Sequence, residues 1–389
     1  MTLDAMSIAI VGGGIGGLAA ARALRLHGAE VTVLEQAEAI REVGAGLQVS
    51  PNGFRVLQAL GLAERLRACS VRARSVRLCD AGGAGVLRLD LDRLKSSDYH
   101  FVHRADLIEM LAEAARAEGV NIRLLQQVER VTPGSRPEIA LANGARMHAD
   151  LVVGADGLHS VVRQALNGTA APFFTRQVAW RALVPNSAGR GPEVRVHMGP
   201  RRHVVSYPLR DGALLNLVAV EERMAWAEES WSQLDDPDNL RAAFAGFGPE
   251  VQAMLSQAET VHLWGLFRHK VAARWQGEGV AILGDAAHPT LPFMAQGACL
   301  ALEDAWVLAD ALSAPGPLET RLAAYQRRRE GRARRVVEAA SANVRKYHLA
   351  FPPVRWAAHA ALRLGGAVAP GRMLRQFDWL YDHDVVAGH

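Results

Sequence analysis

Cysteine is scarce. The three in 389 residues, Cys69, Cys79 and Cys299, are too few and too scattered for a disulfide framework or a C-x-x-C site, and a reducing, cytoplasmic setting fits them. Long apolar runs are missing too: no stretch of about 18 residues avoids charge, so no transmembrane helix is expected. The opening MTLDAM lacks a basic region, an apolar segment and a cleavage site, so no targeting peptide is expected. Aromatic residues make up only 6%. None interleaves with the densest basic run, RRREGRARR at Arg327 to Arg335, which argues against a base-stacking surface and against nucleic acid as a partner. That run lies in a helical pattern from Leu318 to about Asn343 and reads as a solvated helix face. The excess of positive charge is small, +4 with a pI near 9.2. The most apolar late stretch, Trp356 to Met373, is punctuated by Arg363 and Arg372 and reads as a packing helix, with a membrane-surface role as the lesser alternative and no stable membrane association expected.

Glycine, by contrast, is concentrated where it matters. Ser7 to Glu35 reads SIAIVGGGIGGLAAARALRLHGAEVTVLE: an apolar run, Gly12, Gly14 and Gly17 in G-x-G-x-x-G spacing, an Ala/Leu-rich helical segment, a second apolar run and an acid. This is one βαβ unit. Gly12 makes the turn out of the strand, Gly14 lets a pyrophosphate approach the backbone, and Gly17 lets the helix sit close on the sheet. The N–H groups of the helix start face the phosphates. Glu35 stands where a carboxylate accepts from a ribose 2′-OH, and no arginine directly follows it, which argues against a 2′-phosphate. A lone glycine motif is a weak signal, but strand, glycines, helix, strand and acid in register point to a dinucleotide. The unit alone does not choose between FAD and NAD.

Two further segments have the same strand-turn-helix form. Ala149 to Arg163 (ADLVVGADGLHSVVR) delivers Asp156 to the C-terminal end of a strand, where open α/β sheets bind ligands. Val280 to Leu283 is a buried strand ending in GDAAHPTLPFMAQGACLALEDA, in which Pro289 and Pro292 hold an ordered loop until a helix begins near Gln296 to Ala298. That helix start favours an anion. His288, beside a proline, is read as structural. Between these segments, from about Phe173 to Thr260, the texture turns to alternating strands. Period two puts His203, Val205 and Tyr207 on one face and Val204 and Ser206 on the other, and sets Arg181 opposite Trp180. An arginine on such a strand reads by default as solvent-facing.

With GGGIGG plus Glu35, GADG-x-x-S-x-x-R at Gly154 to Arg163, and GDAAHP with MAQGA at Gly284 to Ala298, the chain resembles the single-component FAD-dependent aromatic hydroxylases related to p-hydroxybenzoate hydroxylase. Within them it is similar to the salicylate hydroxylase and 3-hydroxybenzoate 6-hydroxylase branch, as is the closing FDWLYDHDV at Phe377 to Val385. The resemblance implies an α/β fold: a Rossmann-like FAD-binding domain from residues 1–72, 100–172 and 270–345, an inserted antiparallel β-sheet substrate domain from 73–99 and 173–269, and a C-terminal helical segment from 346–389. It implies bound FAD, NADH or NADPH as a transient co-substrate with no second G-x-G-x-x-G unit of its own, and O₂. The reaction would hydroxylate a small phenolic acid or N-heteroaromatic through a flavin C4a-hydroperoxide, with or without decarboxylation, in a monomer or homodimer.

By the same resemblance Gly12, Gly14, Ile15 and Gly17 serve the FAD pyrophosphate turn, Glu35 the adenosine ribose and Val128 the adenine end, and Gln36 and Arg41 also bind the cofactor. Arg104 reaches the diphosphate or ribityl region, Asp285 the ribityl chain, and Gln48 sits near the isoalloxazine, where it also contacts substrate. Gly297 and Ala298 aim N–H groups at the flavin N1/O2 side, where reduction places negative charge. Asp156 belongs to a motif tied to FAD and to reduced nicotinamide. Electrophilic attack is faster on a phenolate, so a base is useful. His203 is the candidate, Gln296 its partner in orienting substrate or peroxide, and Pro292 shapes the oxygen site through its carbonyl. Arg181 and Tyr207 fix a carboxylate or phenol. The W-x-W-x-I-P signature of flavin halogenases is absent, since Trp180 to Pro185 reads WRALVP, and no redox cysteine pair supports a disulfide reductase. A lipid-acting reductase or cyclase and a non-catalytic flavin-binding regulator remain as alternatives.

Overall fold

The computed structural model describes residues 3–40, 45–223 and 233–387. The strand Ser7–Val11 is apolar and buried, and it lies between Leu151–Gly154 and Glu30–Leu34, parallel to both. The six-stranded sheet continues to Val280–Ile282 and Gln276–Gly277 on one side and Asn121–Arg123 on the other. All neighbours are parallel except Gln276–Gly277. The helix Ile15–Leu26 follows the first strand and buries Leu18, Ala19, Ala20, Ala21, Ala23 and Leu24. Gly12 sits at φ +104°, and a Cβ there would lie 2.4 Å from the Ala155 carbonyl oxygen. A Cβ on Gly17 would lie 2.0 Å from the Gly12 oxygen, so the turn closes only with glycine at both positions.

The second sheet has eight strands, running from Leu234–Asp235 through Val261–Arg268, Phe173–Pro185, Leu214–Glu222, Arg202–Leu209, Glu193–Gly199 and Ser75–Asp80 to Gly85–Asp90. It is antiparallel except where Glu193–Gly199 pairs in parallel with Ser75–Asp80, a mixed edge the expectation of a purely antiparallel insert did not include. Alternation gives it two distinct faces. Trp180, Ala182, Val184, Val204, Leu217 and Ala219 pack on one side against Leu240, Val251 and Leu255 of two short helices, Pro237–Ala243 and Pro249–Leu255, and against Phe244, the C-cap of the first. The other side, with Arg181, His203, Val205 and Tyr207, faces the first sheet across a cavity.

Two readings of helices need correction. The helix carrying the basic run spans Leu318–Tyr347, and Arg329 on it is completely buried instead of solvated. It pairs with Glu303 and Asp304, each at 2.7 Å, and Arg332 pairs with Glu303 at 2.7 Å. The helix Pro352–Val368 is not a packing helix: only His359 is buried on it, while Trp356, Leu364 and Val368 are 66%, 65% and 74% exposed. It rests by a narrow strip on the edge strand Gly85–Asp90, where a Cβ on Gly366 would come 2.8 Å from Leu87. Among the described residues no helix is long and apolar enough to cross a membrane.

Candidate active site

Between the sheets lies a cavity of about 620 Å³, within the range of large ligand sites. One end is built by the first glycine turn, with Gly12, Gly14 and Ile15, together with Glu35, Gln36 and Val128. Gly17 does not line the cavity; it packs under the turn against Gly12. Glu35 accepts from the Gly13 N–H at 2.6 Å and the Ala37 N–H at 2.9 Å, which fixes its carboxylate beside the turn. Arg41 lies outside the described residues.

The middle is charged. Arg104, first residue of the helix Arg104–Ala117, faces Asp285, and both line the cavity. Asp156 lines it too, with its carboxylate accepting from the Ser160 hydroxyl and the Val162 N–H, so it also caps the helix Val161–Asn167. Arg163 does not reach the cavity: it is buried and donates to the carbonyls of Ala286 at 2.9 Å and Lys270 at 2.7 Å, clamping the Gly284 loop.

The far end is formed by the eight-stranded sheet and the helix Gly297–Ser313. Gln296 is its N-cap residue but makes no side-chain cap bond, so the first-turn N–H groups are left for a ligand, and Gly297 and Ala298 line the cavity there. Gln296 is buried instead in a polar network. It donates to Ser50 Oγ at 2.9 Å and accepts from Asn52 Nδ2 at 3.0 Å, and Asn52 also donates to Glu303 at 2.7 Å. Asp304 accepts from the Gly284 N–H at 3.0 Å and meets His288 Nε2 at 2.5 Å, so His288 is structural as expected. These groups set the helix start against the loop before it. Burial opposes ionisation of Glu303 and Asp304, but Arg329 overrides it, holding Glu303 at about 2 with help from Arg332 and, with His288, keeping Asp304 well below the carboxylate range. The Pro292 carbonyl accepts from the Ala295 N–H at 3.1 Å and so stabilises the tight turn into that helix.

Across from the helix start stand the sheet residues. Arg181 faces the cavity and not solvent, with its guanidinium 4.1 Å from the Trp264 ring centre; burial and the nearby Arg104 both lower its pKa. Tyr207 faces Arg181 and Asn216, and burial raises its hydroxyl pKa. Gln48 accepts from the Tyr99 hydroxyl at 2.7 Å. His203 is 1% exposed, beside Phe293 and Tyr347, and burial holds its pKa well below the ordinary 6.5.

The cradle fits a flavin dinucleotide. A Cβ on Gly14 would meet nothing within 4 Å, so the space above the first helix start is ligand space. That helix has no side-chain cap, nor has the helix Gly297–Ser313, and Arg104 adds a cation to the lining of the same cavity. A family model described as FAD binding domain matches residues 5–340. The chain belongs to this FAD-binding family. The flavoprotein is 36% identical to the 3-amino-4-hydroxybenzoate 2-monooxygenase of Streptomyces platensis, with 97% of this chain and 96% of the relative covered. It is 34% identical to the 3-hydroxybenzoate 6-hydroxylase of Klebsiella oxytoca over 89% of each. A salicylate hydroxylase substrate complex superposes with a TM-score of 0.82 at 25% identity, over 98% of this chain and 96% of that one. The flavoprotein is thus an FAD-dependent monooxygenase of the aromatic-hydroxylase branch, and the lipid-acting and non-catalytic alternatives find no support among its relatives.

Several lining residues were not singled out from sequence: Tyr99, Trp264, Tyr347 and Tyr381. Tyr381 had a signal, since it lies in the closing FDWLYDHDV; the helix Asp378–Tyr381 brings it edge-on to Tyr99 at 5.7 Å. The other three had none, because each reaches the cavity from an element of ordinary composition.

Proposed function

We propose that the flavoprotein hydroxylates a hydroxybenzoate-type phenolic carboxylate, with NADH or NADPH as reductant and O₂ as co-substrate. The observation that carries this reading is that Arg181, His203 and Tyr207 project from one face of one sheet into the same cavity as the glycine turn and the Gly297 helix start. The FAD that this cradle fits supplies the two-electron reduction and the activated oxygen.

The residues of the chain then divide the remaining work. Arg181 pairs with the substrate carboxylate through charge-assisted hydrogen bonds. His203, neutral in its buried site, accepts the phenolic proton, which raises the electron density of the ring. Tyr207 donates to substrate oxygen. Gln296, held by Ser50 and Asn52, positions the helix start whose N–H groups, at Gly297 and Ala298, stabilise negative charge on the reduced cofactor. Val205, Val218, Val220 and Trp264 line the sheet wall and exclude water. The names of relatives support a benzoate: amino-hydroxybenzoate and 3-hydroxybenzoate enzymes recur among them, with a 6-hydroxynicotinate 3-monooxygenase at 31% identity pointing to the heteroaromatic version. We assign residues 73–99 and 173–269 to substrate recognition and the remainder up to 345 to the cofactor, in a cytoplasmic monomer or homodimer.

The test is aerobic NADH and NADPH oxidation by the FAD-loaded protein with 3-hydroxybenzoate, 3-amino-4-hydroxybenzoate, salicylate and 6-hydroxynicotinate, products read by mass. Stimulated oxidation with one oxygen gained, or with hydroxyl replacing carboxylate, establishes the reaction and names the substrate. Stimulation by none of these acids, alongside stimulation by neutral phenols, would remove the carboxylate from the reading.

A further inference from the structure

His203 does not end at the cavity wall. Its Nδ1 lies 2.7 Å from Nε2 of His348, and Nδ1 of His348 lies 2.9 Å from Oε1 of Glu222. The three come from different places: the strand Arg202–Leu209, the C-cap of the helix Leu318–Tyr347, and the last residue of the strand Leu214–Glu222. His203 and His348 are 1% and 4% exposed, whereas the side chain of Glu222 is 37% exposed. A line of hydrogen-bonding groups therefore runs from the cavity through two buried rings to a carboxylate in contact with solvent.

The carboxylate gives that line a direction. A carboxylate only accepts, so His348 Nδ1 carries the proton of that bond. A neutral imidazole has one donor and one acceptor, so His348 Nε2 accepts, and His203 Nδ1 must be the donor. This leaves a lone pair on His203 Nε2, the ring atom outside the bond to His348, as a base requires. Burial lowers the pKa of both rings, and Glu222 works the other way on His348. Among the described residues, the charged and titratable groups that face the pair are Tyr347 beside His203, and Glu222 with Arg202 beside His348, where Arg202 is itself paired with Glu221 at 3.1 Å.

We propose that His203, His348 and Glu222 form a proton relay that carries the phenolic proton of the substrate from the cavity to solvent. The relay rests on the reading of His203 as the base. The phenolic O–H bond breaks as an N–H bond forms at His203 Nε2; the Nδ1 proton passes to His348 Nε2; the His348 Nδ1 proton passes to Glu222, which releases it to water. One proton enters and one leaves, and both rings are left in the opposite tautomer. Return of a proton to the product phenolate along the same line resets them. His348 and Glu222 thus act through His203 and touch no substrate.

Two measurements on the FAD-loaded protein test this. In the first, ¹⁵N spectra of histidine-labelled protein, assigned with His203→Gln and His348→Gln, report the tautomers without any ligand. Both rings are expected as Nδ1–H in the parent and scrambled in Glu222→Gln, whose amide donates as well as accepts. A His203 ring protonated at Nε2 in the parent would overturn the relay. In the second, 4-hydroxy-3-nitrobenzoate, whose phenolate is coloured, is bound and its deprotonation followed after a pH jump. His348→Gln is expected to slow that step by at least about tenfold, with recovery on adding imidazole, while the bound probe's pKa changes little. Glu222→Gln slows it less, because water reaches that end. His203→Gln slow with His348→Gln and Glu222→Gln at the parent rate would sink the relay and keep the base. His203→Gln at the parent rate with an unchanged bound pKa would sink both.

Discussion

Arg329 offers the sharpest test of how the helix start at Gly297 is held. It is fully buried between Glu303 and Asp304, which lie in the first two turns of the helix Gly297–Ser313. A glutamate carboxyl moved from its ordinary 4.5 to about 2 carries roughly 3 kcal/mol of stability at neutral pH. Arg329→Met leaves Arg332 on Glu303 and His288 on Asp304, so the loss is expected at the low end of the range for a broken buried pair, about 3 kcal/mol. At roughly 2 °C per kcal/mol for a chain of this size, the melting temperature should fall by about 6 °C. The sign with pH separates this from a packing defect. The parent's carboxyls are depressed, so their contribution is complete above about pH 4.5 and is lost as pH falls toward 2. In the variant, burial is no longer fully opposed and the carboxyls rise, so its deficit should shrink as the pH is lowered from 7 to 4.5. Melts of apo and FAD-loaded protein across that range provide the check. A melting temperature within about 1 °C of the parent at pH 7, or a deficit constant across the range, would refute the reasoning.

Gly12→Ala, which puts a Cβ 2.4 Å from a carbonyl oxygen at a positive φ, should lower the melting temperature and lose flavin, whereas Gly14→Ala, whose Cβ enters open space, should melt normally as apo-protein yet weaken FAD on the order of tenfold, about 1.4 kcal/mol, by flavin fluorescence. Arg181→Met should raise KM for carboxylate substrates by about 10- to 100-fold, the value of a charge-assisted hydrogen bond, and leave a neutral phenol nearly unaffected in the same assay. Equal effects on both would detach Arg181 from the carboxylate. On the exposed helix, Trp356→Ser and Leu364→Glu should each change stability by no more than about 0.5 kcal/mol in urea titrations, since both side chains are about two-thirds in solvent; a larger loss would mean that this face packs against something.

The first βαβ unit was legible because strand, glycines, helix and acid each have a local physical cause and succeed one another without interruption. The same holds for the face shared by His203, Val205 and Tyr207, which follows from the two-residue period alone. The errors all concern partners far away in sequence. Arg329 looked like one of many solvated arginines because Glu303 and Asp304 sit on another helix, and an isolated basic run says nothing about which member turns inward. Trp356 to Met373 looked like a packing helix because apolar composition does not say whether a neighbour is present. Arg181 looked solvent-facing because the cavity on its side of the sheet is created by a separate sheet. The parallel pairing of Glu193–Gly199 with Ser75–Asp80 joins strands more than a hundred positions apart and leaves no mark in either. His348 is 145 positions from His203, and neither has a neighbour in sequence that announces the other.

The strand order of the first sheet has a consequence for biosynthesis. Ser7–Val11 is flanked by Leu151–Gly154, which is in turn flanked by Val280–Ile282, and the cavity closes only with the helix that begins at Gly297. During translation the glycine turn therefore emerges first and waits, with only Glu30–Leu34 and the helix between them at hand, for most of the chain to follow. Flavin loading belongs to the end of synthesis, and a chain stopped short of the Gly297 helix would carry an intact glycine motif and retain no cofactor. Pairings this distant fold slowly, so free flavin supplied during synthesis captures only the last species on the route.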